Sequence, residues 1–418
     1  MEAAKRQTIW NRYFVLACVC AIFTGVCMHM LDSNLAPFAD AAWSSKTLGG
    51  YLTSTFNIGS ILMAFFAGRL SDRKGRRNTL VFGSLLFGVP TFACVFWPTP
   101  AVTLTVRFLQ GVGKGITTVA AAAIVSDVVP RERMGQGMSF YGLGSTITYA
   151  FGPMLALAIT ANGNYGAMFL LVAALYSASG LLALAIGYEK DPAYRRAESA
   201  PAESAAAGAP GTEYRGVWKL IEKKALLPSI TYTISLAGLA SVLIFVTIYA
   251  QEILKLNATQ IGLFFTVSAV AQLLVQMFCG QLMDKYSALL LLIPAHLAQI
   301  ALMLLLAFVC PGNYGVFLLC GALYGVANAA MYPPLNAIAV VDSPAHRNAA
   351  ANATYFFMMD FGVLFASAVF GPIIDRGATP AQGYIHMFLI SVGITLVSLI
   401  ISLFAFNNRS RARRRERP

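Results

Sequence analysis

Twelve stretches of about 20 residues run through this chain with almost no charge, and nothing else restricts its fold so tightly. A helix needs about 20 apolar residues to cross the hydrocarbon core of a bilayer. Inside lipid every backbone polar group must be satisfied within the protein, so segments of this length have to be helices. The stretches lie near 13 to 36, 48 to 67, 78 to 97, 101 to 126, 138 to 161, 165 to 188, 228 to 250, 260 to 283, 288 to 310, 314 to 341, 351 to 374 and 384 to 406, separated by charged or turn-forming breaks. Hydrophobic residues make up 57% of the 418 and charged residues 11%, against about 25% charged in soluble domains. So much apolar surface requires lipid, and the expected fold is an all-α integral membrane protein with twelve transmembrane helices.

Lys and Arg gather in cytoplasmic loops. With the N-terminus placed inside, the cytoplasmic segments hold 25 of the 30 Lys and Arg, the opposite loops hold only Lys46, Lys255 and Arg376, and Arg107 and Lys114 lie within the fourth span. Both termini are therefore expected in the cytoplasm, with the protein in the cell membrane. The net charge of +12 and the Arg-rich tail from Arg409 to Arg417 fit an orientation and anionic-lipid signal. No nucleic-acid-binding fold surrounds them. Lys5, Arg6 and Arg12 ahead of the first span, with Ala39, Asp40 and Ala41 beyond it, look like a signal peptide, but signal cores run only about 7 to 15 residues, so the span is expected to be retained. The seven cysteines fall in or at the ends of apolar runs without a CxxC pair or a His at zinc spacing. They read as small packing residues, and no metal or cofactor is expected.

Between the sixth and seventh spans, residues 197 to 213 (AESAPAESAAAGAPGTE) form a polar, low-complexity tract that reads as a tether. The expected domains are a first six-helix half at 1–188, a cytoplasmic linker at 189–226, a second half at 227–406 and a basic tail at 407–418. The halves echo one another. Gly68, Asp72 and Arg73 match Gly280, Asp284 and Lys285; Pro130 and Arg133 match Pro344 and Arg347; Gly152 and Pro153 match Gly371 and Pro372. The offsets are 212, 214 and 219 residues.

The segment GRLSDRKGRR (Gly68 to Arg77) between spans two and three resembles the signature loop of the major facilitator superfamily, and GQLMDK (Gly280 to Lys285) is its degenerate second copy. RFLQGVGKG (Arg107 to Gly115) resembles the Arg-bearing motif common in proton-coupled members. YGLGSTITYAFGP (Tyr141 to Pro153) resembles the antiporter motif of drug exporters, with Ala156 and Leu157 where that motif closes on two glycines. The resemblance covers the whole chain. It implies two pseudo-symmetric six-helix halves around a central cavity, with helices 1, 4, 7 and 10 lining it and helix 11 at the border; parallel repeats with a site at their interface are a transporter architecture.

Each motif also has a physical reading. Gly68 permits close helix approach, Gly75 a tight turn, and Arg73, Lys74, Arg76 and Arg77 cannot enter hydrocarbon. Asp72 can cap or pair. The resemblance implies that Asp127, at the end of helix 4, completes a charge relay with this loop and latches the outward-open state; simple orientation by positive charge is the alternative. Gly142, Gly144, Gly152 and Pro153 would allow tight packing and a bend in helix 5.

Asp32, Arg107, Lys114 and Asp360 sit deep in apolar runs, where a charge costs about 2.5 to 3.5 kcal/mol even on a lenient scale. Counted at 1.5 Å per residue, Asp32 and Arg107 are both expected about 6 to 9 Å from the outer end of their spans, with Lys114 about 10 Å deeper on the face of Arg107 and Asp360 at a similar depth. A substrate and proton site is the functional reading, a structural ion pair the alternative. Tyr324, Asn328 and Tyr332 share a face of helix 10, and Gln272 and Gln276 a face of helix 8; interhelix hydrogen bonding explains such stripes equally well. His29, one turn before Asp32, could extend a proton path or simply pack.

The implied activity is that of a proton-driven antiporter exporting a small amphipathic compound or drug, with Asp32 as the proton and substrate carboxylate. Its partners would be a small-molecule substrate, protons and the bilayer, and it would work as a monomer driven by the proton gradient. Uptake of an anionic or zwitterionic solute by symport or facilitation is the alternative, because Lys114 adds a mid-membrane cation. A membrane receptor or enzyme on such a scaffold is a third reading, against which no nucleophile triad, metal cluster or phosphate loop appears.

Overall fold

The computed structural model describes residues 10–129, 134–188, 221–285, 288–343 and 348–415. Among these residues it contains twelve helices and no strand. They are α1 (Arg12–Trp43), α2 (Lys46–Lys74), α3 (Arg76–Phe96), α4 (Pro100–Val128), α5 (Met134–Thr160), α6 (Tyr165–Ala183), α7 (Lys223–Glu252), α8 (Ala258–Lys285), α9 (Leu289–Leu304), α10 (Tyr314–Val341), α11 (Asn348–Asp375) and α12 (Pro380–Arg415). Ten helices among the described residues are long and apolar enough to cross a membrane.

Local chemistry sets several starts. Thr99 caps α4 by accepting from the Val102 N–H, with Pro100 in the first turn, and Asn164 and Asn313 cap α6 and α10 in the same manner. Such caps satisfy backbone donors that the helix itself leaves open.

Several boundaries depart from the hydropathy reading. α1 continues past Pro37 to Trp43, and α7 begins at Lys223, inside the stretch expected as linker. The segment from 68 to 77 is not a loop: α2 runs to Lys74, and only Gly75, at φ 83°, separates it from α3. Asp, Arg and Lys are tolerated in a helix, whereas that φ favours glycine. α9 ends in a π-helical turn, Leu305–Val309, and the Leu306 carbonyl there accepts the Tyr249 hydroxyl at 2.6 Å. The tether residues 197 to 213, Pro130, Arg133, Pro344 and Arg347 lie outside the described residues.

The chain packs as two bodies. The first comprises Met1–Leu31, Thr55–Gly152 and Asn164–Ala206. In it α3 lies against α4 and α6, and a core of Phe14, Ala17 and Cys20 from α1 meets Ile124 and Val125 from α4 and Ile186 beyond α6. α2 and α4 touch backbone to backbone: a methyl at Gly111 would overlap the Phe56 carbonyl oxygen, and one at Gly59 the Phe108 carbonyl oxygen. Small residues permit such approach between membrane helices.

The second body comprises Asp32–Ser54, Pro153–Gly163 and Ala207–Pro418. Here α7 is buried nearly throughout and packs on α10, α11 and α12, while α8 lies on α10 and α9 on α10 and α12. Buried polar pairs stitch these helices together. Gln299 donates to the Ser235 carbonyl and accepts from the Ser235 hydroxyl, both at 2.8 Å; Ser391 meets Ser241 at 3.0 Å, and His296 meets Ser398 at 3.0 Å. The cysteines are free, and all but Cys18 are buried.

Candidate functional site

Arg107 is the most enclosed charge among the described residues of the first body, only 1% exposed. Its guanidinium carbon stands 4.2 Å above the centre of the Phe56 ring, a cation–π geometry. Nη1 donates to Gln110 Oε1 at 2.8 Å, Gln110 Nε2 donates to the Thr91 hydroxyl at 2.8 Å, and that hydroxyl donates to the Phe87 carbonyl at 2.7 Å. Phe87 in turn stacks on Tyr176 with ring centroids 3.7 Å apart. Helices α2, α3 and α6 thus fix a cation carried by α4. Phe56, Thr91 and Gln110 were not singled out by sequence; of the three only Gln110, one turn after Arg107, carried a signal, through helical spacing.

Lys114 follows Arg107 by two turns, about 10 Å along the axis, at the middle of α4. Its ammonium donates to Ser60 Oγ at 3.1 Å. The Thr117 and Thr118 hydroxyls donate to its carbonyl at 3.0 and 2.9 Å.

Asp32 and Asp360 belong to the second body and are both partly buried. Asp360 lies near the middle of α11. Because α1 extends to Trp43, Asp32 is about 16 Å from that end of its helix, whereas Arg107 is about 10 Å from the start of α4. Beside Asp32 the chain is polar and buried: Asn34 donates to Ser33 Oγ at 2.9 Å and accepts from the Thr160 hydroxyl of α5 at 3.2 Å.

At the α2–α3 corner, Arg76 forms an ion pair with Asp127 and donates to the Ala123 carbonyl at 3.1 Å. Asp127 also accepts the Tyr188 hydroxyl at 2.7 Å. Tyr188 lies 61 residues from Asp127, and no pattern in the chain pointed to it. Arg73 and Lys74 are exposed and Arg77 is half-buried. Gly68 and Asp72 lie on α2; the Asp72 side chain is outside the described residues, as is Gly142.

In α5, a methyl at Gly152 would come within 2.7 Å of His29 Cβ and 3.0 Å of the Val26 carbonyl on α1, so this glycine marks a close crossing. Gly144 has room, its nearest neighbour being Ile22 at 3.6 Å. Pro153 follows within the same helix. His29 meets Tyr149 edge-on at 5.2 Å. On α10, Asn328 donates to Gln272 of α8 at 3.2 Å, while Tyr332 joins Tyr232 and Tyr355 in an aromatic cluster with centroids 5.9 Å from each. Tyr324 packs on Phe264 at 6.3 Å, and Gln276 is exposed.

A sequence model described as the Major Facilitator Superfamily matches residues 17–367. The gentisate transporter of Corynebacterium glutamicum is 35% identical over 133 residues, 32% of this chain and 30% of that protein. The multidrug resistance protein MdtL of Escherichia coli is 31% identical over 151 residues, 36% of this chain and 39% of that one. A putative metabolite transport protein of Bacillus subtilis, YfiG, is 32% identical over 130 residues, 30% and 27% of the two chains. The chain thus spans well under half the length of these relatives. Among solved structures, the nucleoside transporter NupG has a TM-score of 0.72 at 14% identity, covering 95% of this chain and 99% of its own. A D-xylose–proton symporter has a TM-score of 0.71 at 14% identity, covering 93% and 96%. Identities this low speak for the fold alone.

Proposed function

The chain belongs to the major facilitator superfamily, and on that premise we propose that it is a multi-pass membrane transporter rather than an enzyme, a proton-driven antiporter that exports a small amphipathic compound across the cell membrane, working as a monomer with both termini in the cytoplasm. Arg107 carries the reading. A guanidinium held over Phe56 and aimed by Gln110 is a fixed positive charge in an apolar interior, and it favours the ionised form of any carboxylate brought to it, whereas separation in apolar surroundings favours the proton-bound form. We assign that carboxylate to Asp32. A cycle that makes and breaks the pair thereby couples proton uptake and release to the change of conformation. The partial likeness to MdtL favours export.

Lys114 favours a second reading. A mid-helix ammonium on Ser60 suits an anionic solute, and a partial relative is named for gentisate transport; the cargo would then be taken up with a proton.

Everted vesicles with an acidic lumen separate the two, with the dye ethidium and the aromatic acid gentisate added in turn. An exporter draws protons out as cargo enters, so the lumen becomes more alkaline; a symporter running backwards makes it more acidic. Asp32→Asn is expected to abolish the pH response while labelled cargo still exchanges downhill. Accumulation by that variant against a gradient, under an imposed pH difference, would exclude Asp32 as the coupling group.

A further inference from the structure

The corner between α1 and α2, within the second body, holds a charge cluster that the coupling reading leaves unused. Lys46, the first residue of α2, is buried to 9% exposure despite its charge. Its ammonium lies 3.2 and 3.1 Å from the two carboxylate oxygens of Glu252, the last residue of α7, and 3.8 Å from Asp40 of α1. Glu252 also accepts the Tyr384 hydroxyl from the first turns of α12 at 3.0 Å, and the Tyr384 ring faces the same ammonium at 6.0 Å. Asp375, the last residue of α11, closes the other side: its carboxylate accepts from the Lys46 N–H at 3.3 Å, the Thr47 N–H at 2.7 Å and the Thr47 hydroxyl at 2.6 Å. An anion is thereby set against the positive end of the α2 dipole.

Next to the cluster the two backbones nearly touch. A methyl at Gly371 would come within 2.9 Å of the Lys46 carbonyl oxygen, and one at Gly50 would overlap the Ser367 carbonyl oxygen. The hydroxyls of Ser54 and Ser367 stand 2.8 Å apart.

A joint meant to stay shut in a membrane protein is well served by apolar packing. This one is built from small residues and from charges that can be satisfied by one another when closed and by water when open. Such a contact has two arrangements of comparable merit, as a switching element requires. We propose that Lys46, Glu252, Asp375, Tyr384 and Asp40 form the gate on this side of the membrane, holding the α1–α2 corner onto α7, α11 and α12 and breaking once in each transport cycle. The gate rests on family membership and on the alternation of access that transport through a central site requires; it is independent of the direction of transport and of the role of Asp32.

Ser54, 7% exposed against Ser367, supplies the probe. In membranes carrying the full chain with Ser54→Cys, reaction with an impermeant maleimide added from the side of the α1–α2 corner should be slow. Lys46→Gln or Glu252→Gln should each raise that rate at least fivefold. The two together should raise it no further than either alone, because both remove one contact. Lys46→Glu combined with Glu252→Lys should return the rate most of the way to the slow value. The native cysteines, largely buried, report unfolding, and their labelling should stay at the parent level. An unchanged rate in the single variants, additive rises in the double variant, or a swapped pair as fast as the singles would each overturn the gate.

Discussion

Asp127 takes two different donors, the charged Arg76 and the neutral Tyr188 hydroxyl at 2.7 Å. Asp127→Asn keeps an oxygen for Tyr188 and removes the ion pair, so it isolates the charge. The expected result is turnover several-fold slower with KM within a few-fold, measured as initial rates in vesicles; lost binding with intact turnover would contradict a gating role. The pairing of Arg76 with Asp127 was legible only through the resemblance of residues 68 to 77 and of the end of helix 4 to the superfamily's signature loop and its acidic partner. Tyr188 was not, since its contact arises from the return of α6 to the end of α4 and leaves no trace in local sequence. The cradle of Arg107 shows the same division: Gln110 follows from helical spacing, whereas Phe56 and Thr91 arrive on other helices.

At the scale of the elements, the α2–α4 contact depends on the absence of side chains. Gly111→Ala would place a methyl on the Phe56 carbonyl oxygen, and a backbone oxygen cannot swing aside as a flexible side chain would. A cost of about 1 to 3 kcal/mol is expected, seen as a lower melting temperature in detergent. Gly393→Ala on α12 meets nothing within 4 Å and should stay within about 0.5 kcal/mol; equal effects would mean that the α2–α4 crossing is looser than its geometry. The existence of the helices was legible because hydropathy reports the lipid directly. Their ends were less so, because ends are set by caps and by backbone dihedrals. α1 outran its expected end because the helix crosses Pro37 and Asp40 and runs on to Trp43, and the charges at the end of α2 and the start of α3 suggested a loop although Gly75 is the only break. No rule of composition announced the π-turn in α9.

For the molecule as a whole, the asymmetry of Lys and Arg between alternate loops predicts one orientation. A cysteine introduced by Ser410→Cys in the basic tail should react with an impermeant maleimide only after intact cells are permeabilised; prompt labelling of intact cells would reverse the topology. Counting residues set Asp32 and Arg107 at one depth, but the run of α1 to Trp43 moves Asp32 about 16 Å from the end of its helix; counting also says nothing of which helices face each other, so the four charged groups could not be paired. α2 adds a mechanical consequence. It is an unbroken helix of 29 residues, about 44 Å long, with Lys46 at one tip and Gly75 at the other. With a single residue between α2 and α3 there is no slack at the Gly75 corner, so within the first body the two helices are pinned to one another there. A few glycines spliced in after Gly75 would draw the pin from that corner, and Arg76 would swing loose of Asp127 like a bolt without its keeper.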